Sequence, residues 1–124
     1  MVKLSSETAI SVIGLKKSFG ESPILWNLHL ELRWGELLAL FGTNGSGKTT
    51  LLRILASQIK PDAGQIIVSG YDQAKNPRAT RRNIGVVGHQ NYLYEDLTCA
   101  ENLQFYGRLY NIDQLSSRVN TVLS

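Results

Sequence analysis

Nine consecutive residues, Gly42-Thr43-Asn44-Gly45-Ser46-Gly47-Lys48-Thr49-Thr50, combine the groups that hold a polyphosphate. They match G-x-x-x-x-G-K-[ST], with Gly42 opening the loop, Gly47-Lys48 closing it and Thr49 supplying a hydroxyl. Glycine has no Cβ, so its backbone can adopt positive φ and wrap closely around oxygens. Amides gathered at a helix N-terminus then form an anion nest. The Lys48 ammonium can reach β- and γ-phosphate oxygens, and the Thr49 hydroxyl can ligate Mg²⁺. The chemistry expected is retention of a nucleoside triphosphate as its Mg²⁺ complex. A fortuitous glycine-rich turn is the alternative, and the flanking sequence weighs against it.

A loop of this kind needs a strand before it and a helix after it. Residues 37–41, Leu-Leu-Ala-Leu-Phe, read as a buried strand. A helix is expected from Gly47 to about Ser57, with Leu51, Leu52, Ile54 and Leu55 apolar and Arg53 turned away. Upstream, residues 8–15 look like a first strand and residues 16–23 a turn-rich loop. From Ile24 the alternation is regular. Ile24, Trp26, Leu28, Leu30 and Leu32 would share a buried face, and Asn27, His29, Glu31 and Arg33 a wet one. That places His29 in solvent without a ligand role. Downstream, Lys60-Pro61-Asp62-Ala63-Gly64 is a turn. Residues 65–69 are a short strand, a short helical segment falls near residues 77–82, and residues 84–88 form another buried strand. After a loop over 89–97, Thr98 and Glu101 make a capping box opening a helix to about Tyr110. Asp113 is expected to cap a last helix with Leu115, Val119, Val122 and Leu123 on one side. No stop signal follows that helix, so the pattern reads as a truncated domain.

The 124 residues suffice for one domain, and 43% hydrophobic with 19% charged residues is the balance of a soluble globular protein. The net charge of +3 is mild. Arg78, Arg81 and Arg82 cluster without interleaved aromatics and read as a solvated helix face rather than a nucleic-acid patch. Cys99 is the single cysteine, which excludes a disulfide framework and a cysteine metal site and suits a reducing compartment. Residues 1–10 lack the apolar core of a signal peptide. No apolar run approaches the ~20 residues that a membrane span requires.

Over nearly its whole length the chain resembles the N-terminal part of an ABC-type ATP-binding domain. The resemblance rests on the Walker A run at 42–50 and on Gly14-Leu15-Lys16-Lys17-Ser18-Phe19-Gly20. It extends to Lys60-Pro61-Asp62-Ala63-Gly64-Gln65-Ile66 and to Ile84-Gly85-Val86-Val87-Gly88-His89-Gln90. Leu93-Tyr94-Glu95-Asp96-Leu97-Thr98 and Glu101-Asn102-Leu103 complete it. It implies an α/β fold: a P-loop NTPase parallel-sheet core with an antiparallel β subdomain, truncated before the signature and Walker B segments. Residues 1–90 would be the N-terminal part of that core and 91–124 the start of a helical subdomain. Phe19 takes the place of the adenine-stacking aromatic. A gapless reading back from Leu93-Tyr94 puts His89 where the family usually has a metal-contacting glutamine, with Gln90 one step further. Both side chains can touch a Mg²⁺ shell. Leu115-Ser116-Ser117-Arg118 is superficially similar to the signature but lacks its glycines, and is rejected.

By the same resemblance the cofactors are ATP and Mg²⁺. The binding residues are Phe19, Gly42, Thr43, Asn44, Gly45, Ser46, Gly47, Lys48, Thr49, Thr50, His89 and Gln90, with Thr49 and either His89 or Gln90 at the metal. The function implied is an ATP-binding subunit that powers membrane export, an ATPase when whole. Its partners would be a transmembrane permease subunit and a second ATP-binding subunit sandwiching ATP, with no nucleic acid. It would be cytoplasmic, peripheral on the inner face of the cell membrane. The His89-Gln90 pair, with the 93–98 and 105–110 runs, looks most like haem exporters for cytochrome c assembly; related multidrug and ABC-2-type exporters are similar. No catalytic residue falls within the chain, so this stretch alone is not expected to turn over ATP. The alternatives are a non-transport ABC-type ATPase acting on nucleic acid or ribosomes, and a nucleotide-binding fragment without catalysis. A small-molecule kinase or GTPase fits less well, because no Asn-Lys-x-Asp motif occurs.

Overall fold

A computed structural model describes residues 7–124. The reading of residues 1–10 as lacking a signal peptide falls largely outside the described residues. The chain divides into two compact units, one ending at Val86 and one beginning at Val87.

The first unit holds β1 (Thr8–Phe19), β2 (Ser22–Arg33), α1 (Lys48–Leu55), β3 (Ala63–Val68), β4 (Tyr71–Asp72) and α2 (Pro77–Arg82). The strands form one antiparallel sheet in the order β2-β1-β3-β4. Val12, Leu15, Leu25, Ile66 and Val68 of the sheet bury against Leu51 and Ile54 of α1. Each such aliphatic side chain is worth roughly 1.5–3 kcal/mol when removed from water. Leu51 and Ile54 stand three apart and share a helix face. Leu52, expected in the core, is turned to solvent instead.

β1 runs beyond its expected end to Phe19 and meets β2 through the two residues Gly20 and Glu21. The stretch anticipated as a loop is thus the tip of a hairpin, because Lys17, Ser18 and Phe19 find partners in Leu25, Pro23 and Ser22. β2 also departs from simple alternation. Leu15 pairs with Leu28 but Lys17 pairs with Leu25, so β2 carries one extra residue between them. Asn27 sits there at φ 51. A bulge of this kind reverses the faces on either side of it. Leu25 is therefore buried, and Trp26, assigned from sequence to the buried face, is 71% exposed with Lys16 Nζ 4.4 Å from its ring centroid. His29 is exposed as expected but has neighbours: Gly14 N donates to its Nδ1 at 3.4 Å, and Nε2 lies 3.3 Å from Asn27 Oδ1.

Residues 37–41 do not form the expected strand. They pair with no strand among the described residues, and Leu37 and Phe41 are almost wholly exposed. Residues 84–88 are likewise unpaired. A strand exists only as one side of a hydrogen-bonded ladder. Both edges of the observed sheet, β2 and β4, leave these segments without a partner, and no parallel pair forms among the described residues.

The second unit contains α3 (Cys99–Leu109) and α4 (Leu115–Leu123). The Thr98–Glu101 capping box forms in full. Thr98 Oγ1 accepts from Glu101 N at 3.2 Å, and Glu101 Oε2 accepts from Thr98 N at 2.7 Å. Asp113 does not cap α4. Gln114 takes that position in a left-handed conformation, with no side-chain cap. On α4 only Val119 is buried, while Val122 and Leu123 are exposed. Gly107 has a specific reason: a Cβ there would collide with Leu115. Asn102 is buried and organises the preceding loop. Its Nδ2 donates to the carbonyls of Tyr94, Leu97 and Thr98, and its Oδ1 accepts from Tyr94 N at 2.8 Å.

Candidate functional site

The hairpin tip and the N-terminus of α1 meet at one concavity of about 350 Å³. Phe19 and Ile24 contribute from the hairpin. Asn44, Gly45, Gly47, Lys48, Thr49 and Thr50 contribute from the loop and the first turn of α1. Phe19 closes β1 with its ring half-exposed. Ile24 is an extra residue in β2, since Lys17 pairs with Leu25 and Ser18 with Pro23. Its place in the wall was not legible, because alternation alone does not reveal where a strand bulges.

Loop residues 42–47 have no regular structure and are braced by Ser46 N donating to Thr43 O at 3.2 Å. Gly47 is buried at φ 95 and caps α1. A Cβ there would lie 2.9 Å from Leu25 Cδ2 and 3.2 Å from Ile24 O, so both conformation and space demand glycine. No side chain caps α1 and no acidic residue stands in its first turn. The amides of Lys48, Thr49 and Thr50 therefore have no side-chain partner among the described residues. They carry the positive end of the helix dipole.

The Lys48 ammonium folds back over the loop. It donates to Gly42 O, to Thr43 O at 2.8 Å and to Ser46 Oγ at 3.1 Å. All three acceptors are neutral, and no carboxylate ion-pairs with it among the described residues. A Cβ at Gly42 would come within 2.6 Å of Ser46 Oγ, which makes the loop a cradle that a larger residue would fill. Uncapped amides, a cation without a counter-ion and closely wrapped backbone together suit an anion with several oxygens.

The hairpin tip is tied to the turn at residues 60–64. Asp62 Oδ2 accepts from Ser18 N at 2.7 Å and Oδ1 from Lys17 Nζ at 3.2 Å, while Asp62 N donates to Lys16 O at 2.9 Å. The Ser18 amide first, and the Lys17 ammonium second, hold the Asp62 carboxyl below its usual range. Lys17 Nζ also lies 5.3 Å from the Phe19 ring centroid. Sequence reasoning recognised residues 60–66 as a turn and strand but not this tie.

Phe19 and the 42–50 loop thus come together in the first unit. His89 and Gln90 belong to the second unit, where both are exposed in a segment without regular structure. A larger concavity of about 630 Å³ lies against α2, lined by Tyr71, Lys75, Arg78, Arg81 and Arg82 among others. It has no glycine cradle, and its arginines are exposed as expected of a solvated face. Among the described residues no helix is long and apolar enough to cross a membrane.

Known proteins resemble this chain in sequence and in fold. The chain is 39% identical over 113 residues to the daunorubicin resistance ATP-binding protein DrrA3 of Streptomyces coeruleorubidus, covering 91% of this chain and 36% of that protein. It is 42% identical over 89 residues to the ABC transporter ATP-binding protein NatA of Bacillus subtilis, covering 71% of this chain and 36% of NatA. The chain therefore spans about a third of the length of these relatives. A solved ATP-binding subunit of an ABC transporter superimposes with a TM-score of 0.78 at 29% identity, over 86% of this chain and 45% of that one. The ABC transporter family model matches residues 25–124, a span that takes in most of β2, the 42–50 loop, α1 and the whole second unit. With sequence and architecture in agreement, the chain belongs to the ABC transporter ATP-binding family.

Proposed function

We propose that the chain binds Mg-ATP through the Walker A loop at 42–50, as part of an ATP-binding subunit that powers a membrane exporter. The observation that carries this reading is the shared concavity, where an aromatic ring from β1 faces an uncapped helix N-terminus and an ammonium without a counter-ion. Lys48 would exchange its loop carbonyls for phosphate oxygens. The amides of the first turn of α1 would bind the same oxygens. The Thr49 hydroxyl would ligate Mg²⁺. Among the described residues no three His, Cys, Asp or Glu side chains cluster as a metal cage. Phe19 would stack on the base, and His89 or Gln90 would touch the metal shell. Bound ATP supplies the free energy of the transport cycle.

Export is supported by the Nod factor export ATP-binding protein I among the relatives, although a sulfate/thiosulfate import ATP-binding protein is 45% identical over 77% of this chain. Haem export for cytochrome c assembly, a narrower reading, rests on the residues at 89–98 and 105–110 alone. The partners proposed are a transmembrane permease and a second ATP-binding subunit, with the protein on the cytoplasmic face of the membrane.

Lys48→Ala tests the site in the protein as its gene encodes it. The variant is expected to fold and to lose Mg-ATP binding, since a hydrogen bond to a charged group is worth about 1.5–3 kcal/mol and several are removed together. Titration of ATP into both proteins reads the outcome. Equal affinities would sink the assignment.

A further inference from the structure

We propose that Asp62 is a positioning residue for the base-binding end of the site, fixing Phe19 through Ser18 and Lys17. The inference rests on the reading of Phe19 as the stacking residue. Phe19 is the last residue of β1, next to a two-residue turn, and its ring is 50% exposed. With half of its surface open to solvent, its aim depends strongly on the backbone that carries it. That backbone pairs with β2 and is further tied to Asp62 by two bonds, from Ser18 N to the carboxylate and from Asp62 N to Lys16 O, while Lys17 Nζ adds a side-chain bond to the same carboxylate.

Lys17 joins the two sides. Its ammonium ion-pairs with Asp62 at 3.2 Å and also stands over the Phe19 ring. Lys17 does not line the concavity, whereas Phe19 does. A cation held on an aromatic face restrains the ring. Asp62 thus fixes both the strand end and the ammonium that restrains Phe19. The Ser18 amide first, and Lys17 second, lower the pKa of this carboxyl below its ordinary value. Among the described residues Asp62 has no hydrogen bond or ion pair to the 42–50 loop and does not line the concavity, which leaves Phe19 as its route to the site.

The test compares ATP with inorganic tripolyphosphate, both with Mg²⁺, on the protein as encoded. Asp62→Ala is expected to weaken ATP roughly fivefold, the worth of about one aromatic contact, and to leave tripolyphosphate unchanged. Asp62→Asn, which keeps an acceptor for Ser18 N, is expected to recover most of the affinity. Asp62→Ala combined with Phe19→Ala is expected to bind ATP no more weakly than Phe19→Ala alone. If Phe19→Ala weakens ATP but Asp62→Ala does not, the role of Asp62 is overturned while the stacking reading stands. If Phe19→Ala has no effect, both fall. Equal weakening of ATP and tripolyphosphate by Asp62→Ala overturns the proposal in favour of a general structural role. Should Asp62→Ala fail to fold, Lys17→Met carries the same comparison. Loss of ATP affinity without loss of tripolyphosphate affinity in Lys17→Met supports the clasp, and no change in Lys17→Met refutes it.

Discussion

Gly47 concentrates more physical constraint than any other residue of the site. It holds φ 95, ends the loop, starts α1 and leaves no room for a Cβ beside Ile24 and Leu25. Gly47→Ala should therefore cost roughly 1–3 kcal/mol of stability from strain, in addition to lost nucleotide affinity. A denaturant melt and an ATP titration read the two effects. A stable variant with unchanged affinity would contradict both the geometry and its use. The run 42–50 could be picked out in the sequence because four specified positions, Gly42, Gly47, Lys48 and Thr49, fall at fixed spacing within eight residues. Phe19 was placed by resemblance, and its position at a hairpin tip emerged only from pairing with Ser22. Asp62 was legible as a turn residue alone, since its bonds reach 44 positions back along the chain to Ser18. His89 and Gln90 remain distinguishable by experiment. In the encoded protein we expect His89→Ala to reduce ATP turnover more than Gln90→Ala. The reverse order would move the metal contact to Gln90.

At the scale of elements, the Thr98–Glu101 capping box gives a prediction in pH. Bonds from the Thr98 backbone amide, then those involving its side chain, lower the Glu101 pKa below its ordinary 4.5. The cap's contribution is complete above that ordinary value and fades as pH falls through the lower folded one. Exposed as the pair is, the effect should be local: fraying of the first turn of α3 in acid, not global unfolding. The Thr98 amide resonance should shift with an apparent midpoint below 4.5, and Glu101→Gln should abolish the shift. A midpoint at or above 4.5 would contradict the cap. This box was readable because its two residues are three apart and depend on nothing distant. α2 was readable for the same reason, with Pro77 at its first turn. β2 was not. Its two extra residues depend on how β1 pairs with it, and alternation counted along one strand assigns Trp26 to the wrong face. The cap of α4 was misread because Gln114 adopts a left-handed conformation that sequence favours less than an Asp113 cap.

For the whole 124-residue chain, the decisive feature is apolar surface with nothing over it. Leu37, Phe41 and Val87 are more than 90% exposed, and Leu38 and Val86 lie between 45% and 60%. Both runs have the composition of buried strands, and both carry backbone groups without ladder partners among the described residues. Unpaired apolar segments of this type add themselves to other chains. A net charge of +3 offers little repulsion against it. The buried set among the described residues is small: seven aliphatic side chains form the core of the first unit, and Val119 is the buried hydrophobic side chain of the second. Folding stability is a small difference between large terms, so a core of this size leaves little margin. We therefore expect Met1–Ser124, expressed by itself, to aggregate or to behave as a partly molten chain. We also expect it to show no Lys48-dependent ATP turnover. Light scattering, a thermal melt and a phosphate-release assay on the purified chain and on Lys48→Ala make the check. A monodisperse monomer with a sharp cooperative melt would overturn the stability argument. Phosphate release lost on Lys48→Ala would overturn the argument about catalysis.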